Sequence, residues 1–291
     1  MTTLAAAAPW SARPSLLFLR RFSRRWLALV GAVAAALITL IALFAPIIAP
    51  YDPGATDFSA ILRPPGAPAH LLGTDDLGRD VLSRVIWGAR ASMQAGVFST
   101  LLAMGAAVPI GLVAGYYRGA FDTVVSRVAE TLLAFPYLIL AVGMAAILGP
   151  SLTNATIAIG LVQIPKLIRI TRGEAMSVRE EAFVAGAVAD GARDAFILFR
   201  HILPNVTNTL IVQATIVIPY AIIAESSLSF LGLGVQPPTP SWGVMLTAAQ
   251  PYLDRASWLA LAPGLAISVA TLSFNLLGDG LRDAIDPRGT R

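Results

Sequence analysis

No charged residue interrupts positions 27–49, and that run decides what kind of protein this chain can become. A helix needs about 20 predominantly apolar residues to cross a bilayer, where every backbone N–H and C=O must find its partner within the protein. Five more runs approach that standard, at 92–116, 132–149, 155–170, 207–224 and 258–278. The expected fold is all-α, a polytopic membrane protein with about six transmembrane helices. The fourth run is the weakest: it is short, and Pro165, Lys166 and Arg169 sit near one end, where long cations can reach an interface. Composition agrees, since charged residues make up 13% of the chain against roughly 25% in ordinary soluble domains.

Arginine placement sets the orientation. Arg13, Arg20, Arg21, Arg24 and Arg25 precede the first run with no acid among them, while Lys166, Arg169, Arg172, Arg179, Arg193 and Arg200 gather around 171–205. Basic residues of short loops stay on the cytoplasmic side, so both regions are expected inside, and alternation puts the C-terminal tail there too. The first run is too long for the apolar core of an export signal and reads as a retained anchor. These expectations divide the chain into a cytoplasmic segment 1–26, a first transmembrane helix 27–49, an outer (periplasmic) segment 50–91, a transmembrane domain 92–278 holding a cytoplasmic loop 171–205, and a cytoplasmic tail 279–291. The net charge of +4 then reflects topology and gives no reason to expect a nucleic-acid partner.

Within the outer segment Val81, Leu82, Val85, Ile86 and Ala89 fall at helical spacing opposite Asp80, Ser83, Arg84 and Arg90, which predicts an amphipathic helix lying at the membrane surface. Asp75, Asp76 and Asp80 lack the alternating order of a calcium loop. Helix capping and an Asp80–Arg84 pair explain them, so Asp75→Asn is expected to be mild. Gly111 and Gly115 have the spacing that lets membrane helices approach closely.

Little in the sequence suggests catalysis. It contains no phosphate-binding G-x-x-x-x-G-K-[ST] loop, no H-E-x-x-H and no G-x-S-x-G. Without cysteine there is no thiolate chemistry, and two separated histidines, His70 and His201, make a poor metal site. Glu225 is the one carboxylate expected at membrane depth, where ionisable groups are costly and often functional. It is either a pathway or outer-gate residue, or a structural hydrogen-bonding group.

Residues 180–205 interrupt the apolar pattern. Positions 180–189 predict a short helix with a small face of Ala182, Ala185, Gly186 and Ala189, Gly191 breaks it, and 193–201 predict a second short helix ended by Pro204. A surface of alanine and glycine suits close approach by another protein.

This segment resembles the cytoplasmic loop motif of ABC importer permeases, E-A-A, three residues, G, nine residues, I, one residue, L-P. Aligned on Gly191 and on Leu203 and Pro204, Ala185, Gly186 and Ala187 stand on E-A-A and His201 stands on the isoleucine, so the motif's glutamate is missing. Three further strings, LLGTDDLGRDVLSRVIWGAR, ESSLSFLGLGVQPPTPSWG and LLGDGLRDAIDPR, resemble the dipeptide/oligopeptide/nickel branch, in particular its C-type subunit, over nearly the whole chain. The resemblance implies a type I ABC importer permease fold in the inner membrane with both termini cytoplasmic. It further implies a homologous permease as heterodimer partner, two cytoplasmic ABC ATPase subunits, and an extracytoplasmic substrate-binding protein. Ala185, Gly186, Ala187, Gly191, His201, Leu203 and Pro204 would couple the chain to an ATPase. No cofactor would be bound by this chain, with ATP and Mg acting through the ATPases. Solutes handled in this branch include peptides, nickel complexes and glutathione. An ion-coupled secondary transporter is the alternative reading, and it would need further membrane-embedded acids or paired broken helices.

Overall fold

The computed structural model describes residues 22, 23 and 25–285. Arg13, Arg20, Arg21 and Arg24, and the tail beyond residue 285, lie outside the described residues. Nine principal helices follow in order: α1 Trp26–Leu43, α2 Val81–Tyr117, α3 Gly119–Leu133, α4 Tyr137–Leu148, α5 Leu152–Arg179, α6 Ala182–Ala189, α7 Asp194–Phe230, α8 Trp242–Ala249 and α9 Trp258–Ile285. Among the described residues there is no β-strand, only two isolated bridges.

By length and composition α1, α2, α7 and α9 can cross a membrane, and the α3–α4 pair makes a fifth crossing if taken together. The sequence expectation is corrected at one of its six runs. Residues 132–149 are not one helix: α3 and α4 meet at 93°, because Pro136 lacks an amide hydrogen and disfavours helical geometry in the residue before it. The fourth run lies inside the 28-residue α5, which packs at one end with Ala224 and Leu228 and at the other with Leu112 and Tyr116, although Gln163, Lys166 and Arg169 make it less apolar than the other long helices.

Packing follows membrane rules. On α1 the buried residues are Ala28, Gly31, Ala35 and Ala42, while Leu29, Val33, Leu37 and Leu40 are exposed. Lipid solvates large apolar side chains as well as protein does, so association favours the face that brings backbones together. A Cβ on Gly31 would stand 2.6 Å from the Leu276 Cβ of α9. Likewise α5 lies along α2 at the two glycines singled out by spacing: a Cβ on Gly111 would meet the Thr171 Cβ at 2.7 Å, and one on Gly115 the Arg172 carbonyl at 2.6 Å.

The expected surface helix over 81–90 is also corrected. No break separates it from the next run, so α2 is continuous for 37 residues, capped by Asp80, whose carboxylate accepts from the Ser83 amide at 2.8 Å. Its polar face points inward. Ser83 and Arg84 are buried because the loop 51–75 folds over them: the Tyr51 amide donates to Ser83 Oγ at 3.0 Å and Arg84 Nη1 to the Pro53 carbonyl at 2.8 Å. Asp80 pairs with His70 at 3.0 Å rather than with Arg84. Among the described residues no group of three or more His, Asp or Glu is arranged to hold a metal ion.

The described ends of the chain lie together, Arg25 pairing with Asp283 at 2.5 Å. Arg282 and Ile285 share a cavity with Asn205 and Asn208, so the chain ends and the 180–205 segment occupy one end of the bundle, as alternation of the spans requires. Because the chain has no cysteine, single thiols can test which side this is. Thr239→Cys is expected to react with an impermeant thiol reagent from outside and Arg193→Cys only after permeabilisation; both positions are exposed, whereas nearby Ser241 is buried. The opposite labelling pattern would invert the topology.

Candidate functional site

Residues 180–205 form a compact helical corner at that end. α6 closes with a Schellman motif: Ala192 N–H donates to the Ala187 carbonyl and Gly191 N–H to the Val188 carbonyl, both at 3.0 Å. The motif puts Gly191 at φ +75°, a left-handed conformation that glycine adopts without the Cβ clash other residues meet. Tyr116 Oη donates to the Asp194 carboxylate at 2.9 Å and ties the start of α7 to the end of α2. Arg118 pairs with Glu180 beside it.

The helix after the turn does not stop at Pro204, which corrects the sequence expectation. α7 runs on to Phe230, with Pro204 in the first turn of its membrane section. Proline tolerates such a position and cannot donate to the carbonyl four residues back. The chain takes that up with a π-helical stretch, Ile197–Ile202, and Asn205 Nδ2 donates to the His201 carbonyl at 2.6 Å. π turns inside helices concentrate at functional positions.

One face of the corner anchors it. Val184, Ile197, Leu198 and Ile202 are buried with Leu112, Tyr116 and Ala175 of the bundle, and Ala187 and Leu203 pack partly against them. The other face is exposed and carries Ala182, Ala185, Gly186, Ala189 and Pro204. A Cβ on Gly186 would meet nothing within 4 Å. Of the seven residues placed on the motif, Ala185, Gly186, Gly191 and Pro204 therefore lie on the free surface, and Ala187 and Leu203 support it from beneath. His201 is half-buried between the rings of Phe183 and Phe196, at 6.0 and 5.5 Å between centroids.

Sequence reasoning missed the largest part of this surface. Phe183, Val188, Phe196 and Phe199 are 45%, 55%, 54% and 70% exposed, and unlike the lipid-facing residues of α1 they belong to a charged segment outside any apolar run. Their signal was available: three phenylalanines among arginines and aspartates, where no membrane would cover them. Apolar side chains clustered on such a rim form the kind of exposed patch that binding surfaces use.

Glu225 lies far along α7, fully buried. Its carboxylate accepts from Ser92 Oγ at 2.8 Å and Ser229 Oγ at 2.7 Å, and Ser229 Oγ in turn accepts from the Val235 amide at 3.0 Å. Trp242 seals the same region, its indole N–H donating to the Val85 carbonyl at 3.0 Å. The geometry ties α2, α7 and the loop before α8 together at the end opposite the corner.

A polytopic bundle of small-faced helices, presenting a glycine-broken and aromatic-rimmed corner at one end, defines a multi-pass membrane protein with an exposed surface outside its apolar runs. The particulars come from comparison. Residues 107–291 match the family described as binding-protein-dependent transport system inner membrane component, and residues 13–65 match the N-terminal TM domain of oligopeptide transport permease C. The chain belongs to this family and is a permease subunit of an ATP-driven ABC importer in the inner membrane; it is a transport subunit, not an enzyme. It is 45% identical to the dipeptide transport system permease protein DppC of Haemophilus influenzae over 90% of both chains. Similar values hold for the di/tripeptide transport system permease protein DppC of Pseudomonas aeruginosa, 44% over 93% of this chain and 91% of the relative. The glutathione transport system permease protein GsiD of Pectobacterium atrosepticum is 42% identical over 93% and 90%. A permease of this kind works with an ATPase and a binding protein.

Proposed function

We propose that this subunit pairs with a homologous permease to form one half of a pathway for peptides or related small solutes, driven by two ABC ATPase subunits and supplied by an extracytoplasmic binding protein. The observation that carries the reading is the free face of the 182–204 corner. There Ala185, Gly186 and Pro204 offer close backbone approach within a rim of exposed phenylalanines, and Gly191 fixes the angle between the two helical arms. Closure of the ATPases would press on this corner and move α7, the helix that starts in it. The cofactors are then ATP and Mg held by the ATPase subunits, in keeping with the missing phosphate loop. Glu225 serves as an anchor for the outer loop, a role supported by its serine partners on two helices and its complete enclosure.

The test is reconstitution of the two permeases and two ATPases in lipid vesicles with loaded binding protein. Dipeptide uptake is expected to require ATP and the ATPase subunits. Uptake that persists without them and follows an ion gradient would replace this reading with the secondary-transporter alternative.

A further inference from the structure

α5 and α7 each carry a polar stripe that runs from the corner into the bundle. On α5 it comprises Gln163, Lys166 and Glu174; on α7 it comprises Asn205, Thr209, Gln213 and Tyr220. At helical spacing each set stays on one face, and the two helices pack against one another. Toward the 180–205 corner these residues line a cavity of about 690 Å³ that takes in Glu174, Asn208, Gln213 and Arg282. Farther in, beside the bend between α3 and α4, a second cavity of about 200 Å³ is lined by Tyr137, Gln163, Lys166 and Tyr220. Amide and charged side chains are not left against lipid tails, so a stripe of this length faces water or another protein.

Lys166 is the residue this arrangement singles out. It is the only lysine in the chain, every other member of the 21 lysines and arginines being arginine. Its ammonium lies 5.0 Å from the centroid of the Tyr220 ring. None of the carboxylates among the described residues pairs with it. Glu174, on the same face, stands about 12 Å away along the helix axis at 1.5 Å per residue, too far to neutralise it. A ring face satisfies an ammonium only in part. Tyr137 contributes a buried hydroxyl beside the Gln163 amide. The cavity therefore brings a cation without a carboxylate partner together with the polar groups of Tyr137, Gln163 and Tyr220.

We propose that Lys166, with Tyr220, Gln163 and Tyr137 around it, is an anion station in the pathway that holds the carboxylate of a passing solute, as a peptide with a free C-terminus would present it. The proposal rests on the importer reading above. One ammonium without a guanidinium fork suits the task, because a transported group must be held strongly enough to enter and weakly enough to leave.

The absence of cysteine allows a direct test in the reconstituted four-subunit complex, with L-alanyl-L-alanine as the probe and the parent complex as reagent control. Lys166→Cys is expected to lower uptake by about tenfold or more, the loss that one charge-assisted hydrogen bond implies. Treatment with 2-aminoethyl methanethiosulfonate, which puts an ammonium back, is expected to restore most of it; the sulfonatoethyl reagent, which adds an anion, is not. Should the cysteine variant fail to assemble, Lys166→Arg and Lys166→Met carry the same comparison, with the arginine variant expected to import better. Uptake unchanged in Lys166→Cys, or equal rescue by both reagents, overturns the station and leaves the importer reading standing, whereas a parent complex that imports nothing with ATP defeats that reading instead. An effect of Lys166 that disappears when phosphatidylglycerol is left out of the vesicles would assign the ammonium to a lipid phosphate and also overturn the proposal.

Discussion

Gly186→Glu is expected to insert, fold and pack like the parent and yet abolish import. The variant chain has no internal reason to fail. Position 186 lies within α6, where glutamate is a better helix former than glycine by roughly 0.5–1 kcal/mol, and the space about it is open. Any loss must then arise where another subunit meets this face. A carboxylate pressed into a close apolar contact without a partner costs on the order of a few kcal/mol, enough to release the ATPase or to leave it hydrolysing ATP without transport. Gly191→Val is expected to fail by a different route, since its φ of +75° is one that a β-branched side chain adopts only under strain. It should misdirect the second arm while leaving the contact residues in place. The measurement is binding-protein-stimulated ATP hydrolysis and dipeptide uptake by the reconstituted complex, with co-purification of the ATPases. If both variants assemble and import like the parent, the corner is a connector and the coupling proposal fails. Ala187→Arg is a poorer probe, because Ala187 packs partly inward and a large cation there would disturb the corner itself.

Asp75→Asn is expected to lower stability by about 3–5 kcal/mol, the cost of removing one partner from a buried ion pair. Its carboxylate accepts from the amides of Leu77 and Arg79 at 3.0 and 2.9 Å, pairs with Arg79 Nε at 2.7 Å, and stands 3.5 Å from Arg84 Nε. All three residues are buried, so the substitution leaves two guanidinium groups side by side with their principal anion gone. Thermal denaturation of the detergent-solubilised complex should show a midpoint lower by roughly 10 °C, at a few degrees per kcal/mol for a chain of this size. Calcium should not restore it. A shift within a degree or two of the parent would mean that the outer loop is held mainly by its other contacts, and restoration by calcium would revive the metal reading.

That reversal, from a substitution expected to be mild to one expected to be severe, shows where the sequence stopped being legible. Apolar runs located α1, α2, α7 and α9 because lipid imposes length and composition directly. Gly191 was readable because a glycine closing a short helix has one common geometry. The inward turn of Asp75, Ser83 and Arg84 was not, since helical periodicity separates a polar face from an apolar one but does not say that a loop thirty residues upstream will cover the polar side. For the same reason the bend at Pro136 was hidden inside an apolar run, and the exposed phenylalanines of the corner passed as ordinary members of a short helix. Lys166 was noticed as a blemish in a weak span. Its meaning depends on Tyr220, more than fifty residues away.

The continuity of α7 has a mechanical consequence. With 37 residues the helix is about 55 Å long, reaching from the corner, past Lys166, to the Glu225 serines. A tilt of 10° about its midpoint would displace each end by about 5 Å, in opposite directions, by rigid-rod geometry with no change in hydrogen bonding between. Such a rod would convert a push at one surface into a sideways stroke at the other, and its stiffness is lowered at the π turn with Pro204 beside the corner and at Pro219 within the span. Under the coupling proposal, stroke length would follow from where those compliant points fall, so moving Pro219 by one helical turn is expected to change the amplitude of the stroke while leaving the surface of the corner as it is.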